Sequence, residues 1–92
     1  MNWTLSTTGF FDRSARKFLS RHPDLRLRFA ETLAQLAADP FQPGLRLHPL
    51  GGKLQGLQAV RLTHSYRIIL TLQITEHEIL LVDIGSHDEV YG

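Results

Sequence analysis

Residues 57–84, LQAVRLTHSYRIILTLQITEHEILLVDI, decide how this chain folds. Three apolar runs of strand length, 57–63, 66–74 and 78–84, are rich in β-branched residues and are separated by short polar pieces. Connections that short join antiparallel neighbours, because a parallel pair needs a crossover of a dozen residues or more. The stretch therefore predicts a three-stranded meander. Side chains in a strand alternate between faces, so residue parity predicts which of them share a surface. In the middle run Ile68, Leu70, Leu72 and Ile74 form an apolar row, which sends Arg67, Ile69, Thr71 and Gln73 to the other side. In the first run Val60 and Leu62 suit the core, with Leu57, Ala59 and Arg61 opposite. In the last run Leu80, Val82 and Ile84 suit the core, leaving Leu81, Asp83, Gly85 and, on a continued extended path, His87 on the other face. Arg61, Arg67 and His87 are thus expected to converge on one open face. A slip of one residue, or a bulge near Gly85, re-aims His87.

Outward from this stretch, residues 2–7 alternate with Trp3 and Leu5 on one side, as in a short first strand. Thr7 or Thr8 can cap a helix in which Phe11, Ala15, Phe18 and Leu19 recur at helical spacing and Arg13, Arg16 and Lys17 point outward. Pro23 fits the first turn of a second helix, whose stripe of Leu25, Phe29, Leu33, Leu36 and Ala37 stops before Pro40. The pair reads as a packing hairpin rather than a DNA-reading helix-turn-helix. Residues 40–56, PFQPGLRLHPLGGKLQG, hold three of the four prolines and four of the seven glycines, and read as a long loop with a short extended piece at 45–48. Loops of this length in compact domains are often functional. The fold class is α+β: an N-terminal strand and helical hairpin packed on one face of a small, mainly antiparallel sheet, in a single domain over 1–92.

The 92 residues with 42% hydrophobic content suit one modest core. No cysteine is present, which excludes disulfides and thiolate metal sites. No charged start leads into a long apolar run, and no stretch approaches a membrane span, so a soluble cytoplasmic protein without membrane partners is expected. The net charge of +1 conceals an asymmetry. Residues 1–67 carry all ten basic residues against four acidic ones, and residues 68–92 carry five acidic and no basic ones. A basic surface of this kind attracts polyanions, although solvated helix faces produce the same count.

The expected open face has the ingredients for handling a phosphodiester. Arginine offers a planar fork of donors to phosphate oxygens, and histidine titrates near neutral pH. Metal-free RNA cleavage needs a base for the 2′-hydroxyl, cations for the charge that develops on phosphorus, and an acid for the departing 5′-oxygen. His87 is the expected acid or base, with Arg67 and Arg61 stabilising charge. His48, His64 and Lys53 lie in loops near enough in sequence to join them, Arg46 adds a cation beside His48, and Tyr91 can stack on a base. His22 and His77 fall in turns and receive no role. A zinc site from His48, His64 and His87 has no compact spacing to support it, and neither metal nor cofactor is expected.

Taken together, the loop LHPLGGKLQGL, the strand VRLTHSYRIIL and the end ILLVDIGSHDEVY, in that order after a strand and an amphipathic helical hairpin, resemble the RelE/ParE superfamily of bacterial toxins. The similarity spans essentially the whole chain and is nearest to the RelE and YafQ branch. It implies the toxin of a toxin–antitoxin pair, a ribosome-dependent, metal-free endoribonuclease that cuts mRNA in the A site and leaves 2′,3′-cyclic phosphate and 5′-hydroxyl ends. It also implies a cognate antitoxin, ribosome and mRNA as partners, with operator DNA reached through the antitoxin complex. Under this resemblance His48 and His87 match active-site histidines and Arg67 matches a phosphate contact. Tyr91 matches the family's aromatic after the terminal histidine, and Lys53 stands where family members carry functional lysines. His64 is expected beside the catalytic residues, and Arg46, Arg61 and Tyr66, with Lys53 and Tyr91, are expected to contact RNA. Two positions depart from the pattern: Arg61 stands where a second histidine is expected, and Ser65 where an acidic residue precedes the aromatic. ParE-type relatives share the fold but inhibit DNA gyrase without cutting RNA, and a degenerate toxin that only binds partners would keep the same residues.

Overall fold

Why the first helix begins where it does is visible at Thr8. In the computed structural model, which describes residues 2–91 (the last by its backbone alone), the Thr8 hydroxyl accepts the Phe11 amide proton at 2.9 Å. The same hydroxyl donates to the Leu81 carbonyl at 3.3 Å, so one side chain both caps the helix and ties it to a strand. Strand β1 (Thr4–Thr7) leads into α1 (Gly9–Arg21). A single 3₁₀ turn over Pro23–Leu25 follows, and α2 (Arg26–Ala38) closes the helical hairpin before Pro40. The expected long loop contains two further 3₁₀ turns, Pro43–Leu45 and Gly52–Leu54, on either side of a two-residue strand, β2 (His48–Pro49). The meander then runs β3 (Gln58–Arg61), β4 (Tyr66–Gln73) and β5 (Glu78–Ser86), and the chain turns into a short helix, α3 (His87–Tyr91).

The strands form one sheet in the order β1-β5-β4-β3-β2. All pairs are antiparallel except β1 and β5, which run parallel because the helical hairpin carries the chain over the sheet between them. Phe11, Ala15 and Phe18 of α1 and Leu36 of α2 pack against Val60, Leu62, Ile68, Leu70, Ile79, Leu81 and Ile84 of the sheet and its turn. Leu45 drops from the loop into the same core and is 1% exposed. The sheet thus has one face covered by the helices, as the sequence predicts.

In β5 the parity expectation fails. Ile79 and Leu81 face the core, where the sequence pattern predicts Leu80 and Val82, and Ile84 also faces it. The pairing shows the cause: Ile69 opposes Asp83 and Leu70 opposes Leu81, so Val82 is an extra residue without a partner. A bulge of this kind flips the alternation, and odd-numbered residues face inward before it while Ile84 does so after it. Ile74 also departs from the expected apolar row, since β4 ends at Gln73 and Ile74 lies in the turn with 56% of its surface exposed.

The bulge makes a direct prediction. Leu81→Ala should lower unfolding free energy by about 2–5 kcal/mol. Leu80→Ala should cost less than half as much, and urea unfolding of the two variants compares them. Equal losses, or a larger one for Leu80, would mean that the bulge is misplaced.

Candidate functional site

The open face is built from the core outward. Val60 opposes Ile68 with both side chains buried under the helices, and the next pair along is Arg61 opposite Arg67. Alternation turns this pair away from the helices, and Arg67 is in register with Gly85 of β5 on its other side. Like charges directly opposite one another are unfavourable unless something neutralises them. Among the described residues no carboxylate lies within ion-pair distance of either arginine.

Arg67 is nevertheless held. Its Nη1 donates to the carbonyls of Thr63 at 3.1 Å, His64 at 3.2 Å and Tyr66 at 3.3 Å, which anchors the guanidinium over the β3–β4 turn. Arg46, Leu47, His48, Arg61 and Arg67 together line an open cleft of about 400 Å³. His48 reaches it because β2 pairs with β3, setting His48 opposite Ala59, two residues before Arg61. The His48 ring also borders an adjoining cleft of about 440 Å³ formed by the glycine-rich loop and Lys53. Gly52 has φ +60° there, a left-handed conformation that lets the loop turn tightly.

His48 Nδ1 lies 2.8 Å from the Arg46 carbonyl. A carbonyl can only accept, so Nδ1 carries the proton and, in the neutral ring, Nε2 keeps a lone pair. The site thus joins three guanidinium groups to one imidazole of defined polarity. Such a set can bind a phosphodiester and take a proton from a neighbouring hydroxyl.

Other expected residues are placed elsewhere. His87 does not continue the extended path, because it is the first residue of α3, with its side chain 73% exposed and Nδ1 3.7 Å from the Asp88 carboxylate. The turn has a local cause: the Ser86 amide donates to the Glu89 carboxylate at 2.8 Å, and the Glu89 amide donates back to the Ser86 hydroxyl at 3.2 Å. This reciprocal capping box is legible in the sequence as SHDE, 86–89, and was the signal that the strand had ended. His64 is exposed in the β3–β4 turn and contributes its carbonyl to Arg67. Tyr66 lies on the helix side, with its ring 5.0 Å from Phe18 and 4.8 Å from His22. It shares parity with Ile68, and that alternation moves its ring away from the open face where an RNA contact was expected. The side chain of Tyr91 lies outside the described residues.

His22, given no role from the sequence, lines a smaller cleft of about 230 Å³ with Lys17, Arg21, Asp83 and Glu89. Its ring lies 4.6 Å from that of Phe18 in a tilted arrangement, which has no sequence motif. Among the described residues no group of three or more His, Asp or Glu is gathered to hold a metal ion.

No protein-family model and no curated sequence matches the chain. The structure is that of the RelE-like toxin fold, as the sequence resemblance implied. A crystal structure of YafQ from E. coli BL21(DE3) superposes with a TM-score of 0.75 at 19% identity, covering 98% of this chain and 99% of that one. The toxin–antitoxin complex RelBE2 from Mycobacterium tuberculosis gives 0.71 at 18% identity over 95% and 100%. A metal-bound toxin from Helicobacter pylori gives 0.69 at 25% identity over 98% and 99%.

The capping box carries a pH signature. The Glu89 carboxyl lies below its ordinary 4.5, first because of the Ser86 amide and second because of the Ser86 hydroxyl, with smaller attraction to Arg21 and His22. A folded value below the unfolded one contributes stability above the unfolded value, and that contribution is lost as pH falls through the folded value. The Ser86 amide resonance should therefore titrate with a midpoint below 4.5. In Ser86→Ala the midpoint should rise part of the way back, because the backbone donor remains. A midpoint unchanged in Ser86→Ala would remove the Ser86 hydroxyl as a cause.

Proposed function

We propose that this protein is the toxin of a toxin–antitoxin pair and that it cuts mRNA on the ribosome by metal-free transfer to the 2′-oxygen. The observation that carries this reading is the cleft in which unneutralised Arg46, Arg61 and Arg67 meet a histidine whose Nε2 keeps a lone pair. The fold shared with YafQ and RelBE2 supports it.

In this mechanism the scissile phosphate sits against Arg61 and Arg67, whose donors match its oxygens better than a point charge does. His48 Nε2 takes the proton of the 2′-hydroxyl, and the 2′-oxygen attacks phosphorus. The arginines stabilise the extra negative charge that builds on the phosphorane oxygens. The bond from phosphorus to the 5′-oxygen breaks, leaving a 2′,3′-cyclic phosphate, and the 5′-oxygen leaves with a proton from the acid. His87 is the proposed acid, since it follows β5 two residues after Gly85, the register partner of Arg67. Lys53 on the glycine-rich loop extends the track along the RNA backbone. His64 flanks Arg67 in the β3–β4 turn and belongs to the same proposed set.

The proposed antitoxin neutralises the protein by covering this cleft, and RelBE2 was itself solved as a toxin–antitoxin complex. Action on ribosomes places the protein in the cytoplasm, and among the described residues no helix is long and apolar enough to cross a membrane.

Primer extension on an mRNA in a purified translation system, with and without ribosomes, tests the reading. Wild type should produce cuts that require ribosomes. His48→Ala and His87→Ala should each slow cleavage by about 10²–10⁴-fold, the usual contribution of a general base or acid. Folded wild-type protein that leaves the mRNA intact would move the assignment to a non-cutting binder of the same fold, such as a gyrase inhibitor.

RNA affinity should also fall steeply with salt. Arg61→Ala and Arg67→Ala should each flatten the log–log slope by about one counterion. An unchanged slope in filter binding would remove these arginines from the phosphate track.

A further inference from the structure

Between the buried Leu45 and the half-buried Leu47 stands a residue whose backbone does what few non-glycine residues do. Arg46 closes the 3₁₀ turn Pro43–Leu45 through its amide, which donates to the Pro43 carbonyl at 3.1 Å, and it adopts φ 53°, ψ 45°. This is the left-handed region, which L side chains resist. The chain reverses there, and the reversal brings the Arg46 carbonyl to 2.8 Å from His48 Nδ1. Leu45 is anchored in the core and Leu47 packs against it, so the kink is pinned on both sides.

We infer that Arg46 is a positioning residue: its left-handed backbone holds His48 in the Nδ1–H tautomer and so presents the Nε2 lone pair to substrate. This deepens the nuclease reading and rests on it for its catalytic part. Histidines that act as bases commonly receive an orienting partner at the other nitrogen, either a carboxylate or a backbone carbonyl. Here the choice has a chemical consequence. The two clefts that His48 borders are lined by Arg46, Arg61, Arg67 and Lys53, with no Asp or Glu among their described lining residues. A carboxylate at Nδ1 would sit among these cations and compete with the RNA phosphate for them. A neutral carbonyl orients the ring and leaves the guanidinium groups to the phosphate. The same logic suits Ser65 at the position where the family resemblance leads one to expect an acid.

Two variants separate the backbone of Arg46 from its side chain. Arg46→Gly and Arg46→Val both lack the guanidinium group, but glycine enters the left-handed region freely and the β-branched valine does not. The tautomer is read directly from long-range proton–nitrogen correlations of ¹⁵N-histidine protein at about pH 8, above the ordinary histidine range. A His48→Gln spectrum identifies the His48 signals. Wild type and Arg46→Gly should show the proton on Nδ1, and Arg46→Val should show a mixture of tautomers. In ribosome-dependent cleavage both variants should have a raised KM from the lost cation, while kcat should be about tenfold lower in Arg46→Val than in Arg46→Gly. A proton on Nε2 in the wild type would overturn the inference, whatever the variants do and even if the valine variant fails to fold. Folded Gly and Val variants with equal tautomers and equal kcat would overturn it as well. Wild type that shows the Nδ1 proton but never cuts RNA would retain the tautomer assignment and reject the nuclease reading, so the two failures are distinguishable.

Discussion

Val60 meets Ile68 beneath the helical hairpin, and the register of that buried pair governs much of what lies on the other side of the sheet. Burying two branched side chains against α1 is favourable only in one alignment, since a slip of one residue would carry the apolar set to the open face. That alignment leaves Arg61 opposite Arg67. The repulsion between them is a small cost beside the hydrophobic core that fixes their positions. A patch of like charge, to which no carboxylate among the described residues is bound, is then available for an anionic partner, and its geometry is inherited from the core instead of from contacts within the site.

The loop between α2 and β3 completes this face from the other side. Its prolines and glycines prevent a long regular element, but Leu45 ties it to the core and β2 ties it to β3. Between those two anchors lies the left-handed turn at Arg46, whose carbonyl is 2.8 Å from His48 Nδ1. The backbone therefore performs a task that a carboxylate side chain often performs, and it does so without adding negative charge beside the arginines. His87 is governed differently. Ser86 and Glu89 cap a new helix, so the strand ends before His87, and the helix rather than strand alternation positions it.

Strand parity read from the sequence succeeded for β3 and β4, whose pairing with each other is regular, and it located Arg61 and Arg67 correctly. It failed in β5, where Val82 adds a residue that no local pattern marks, since Leu80, Leu81 and Val82 are all apolar. Tyr66 was expected among the RNA contacts. Its parity is that of Ile68, which sets its ring on the helix side. The packing with Phe18 and His22 follows the parity.

From sequence alone came the α+β class, the helical hairpin with a cap at Thr7 or Thr8, the three-stranded meander, the two arginines on one face and the long loop holding His48. These depend on periodicity, capping and turn chemistry, which act over a few residues and are written locally. Tertiary structure alone decided the parallel pairing of β1 with β5, the bulge at Val82, the burial of Leu45 and the approach of the Arg46 carbonyl to His48 Nδ1. Each of these depends on how the whole chain closes around one core, and the competing local arrangements differ too little in energy for sequence pattern to choose between them.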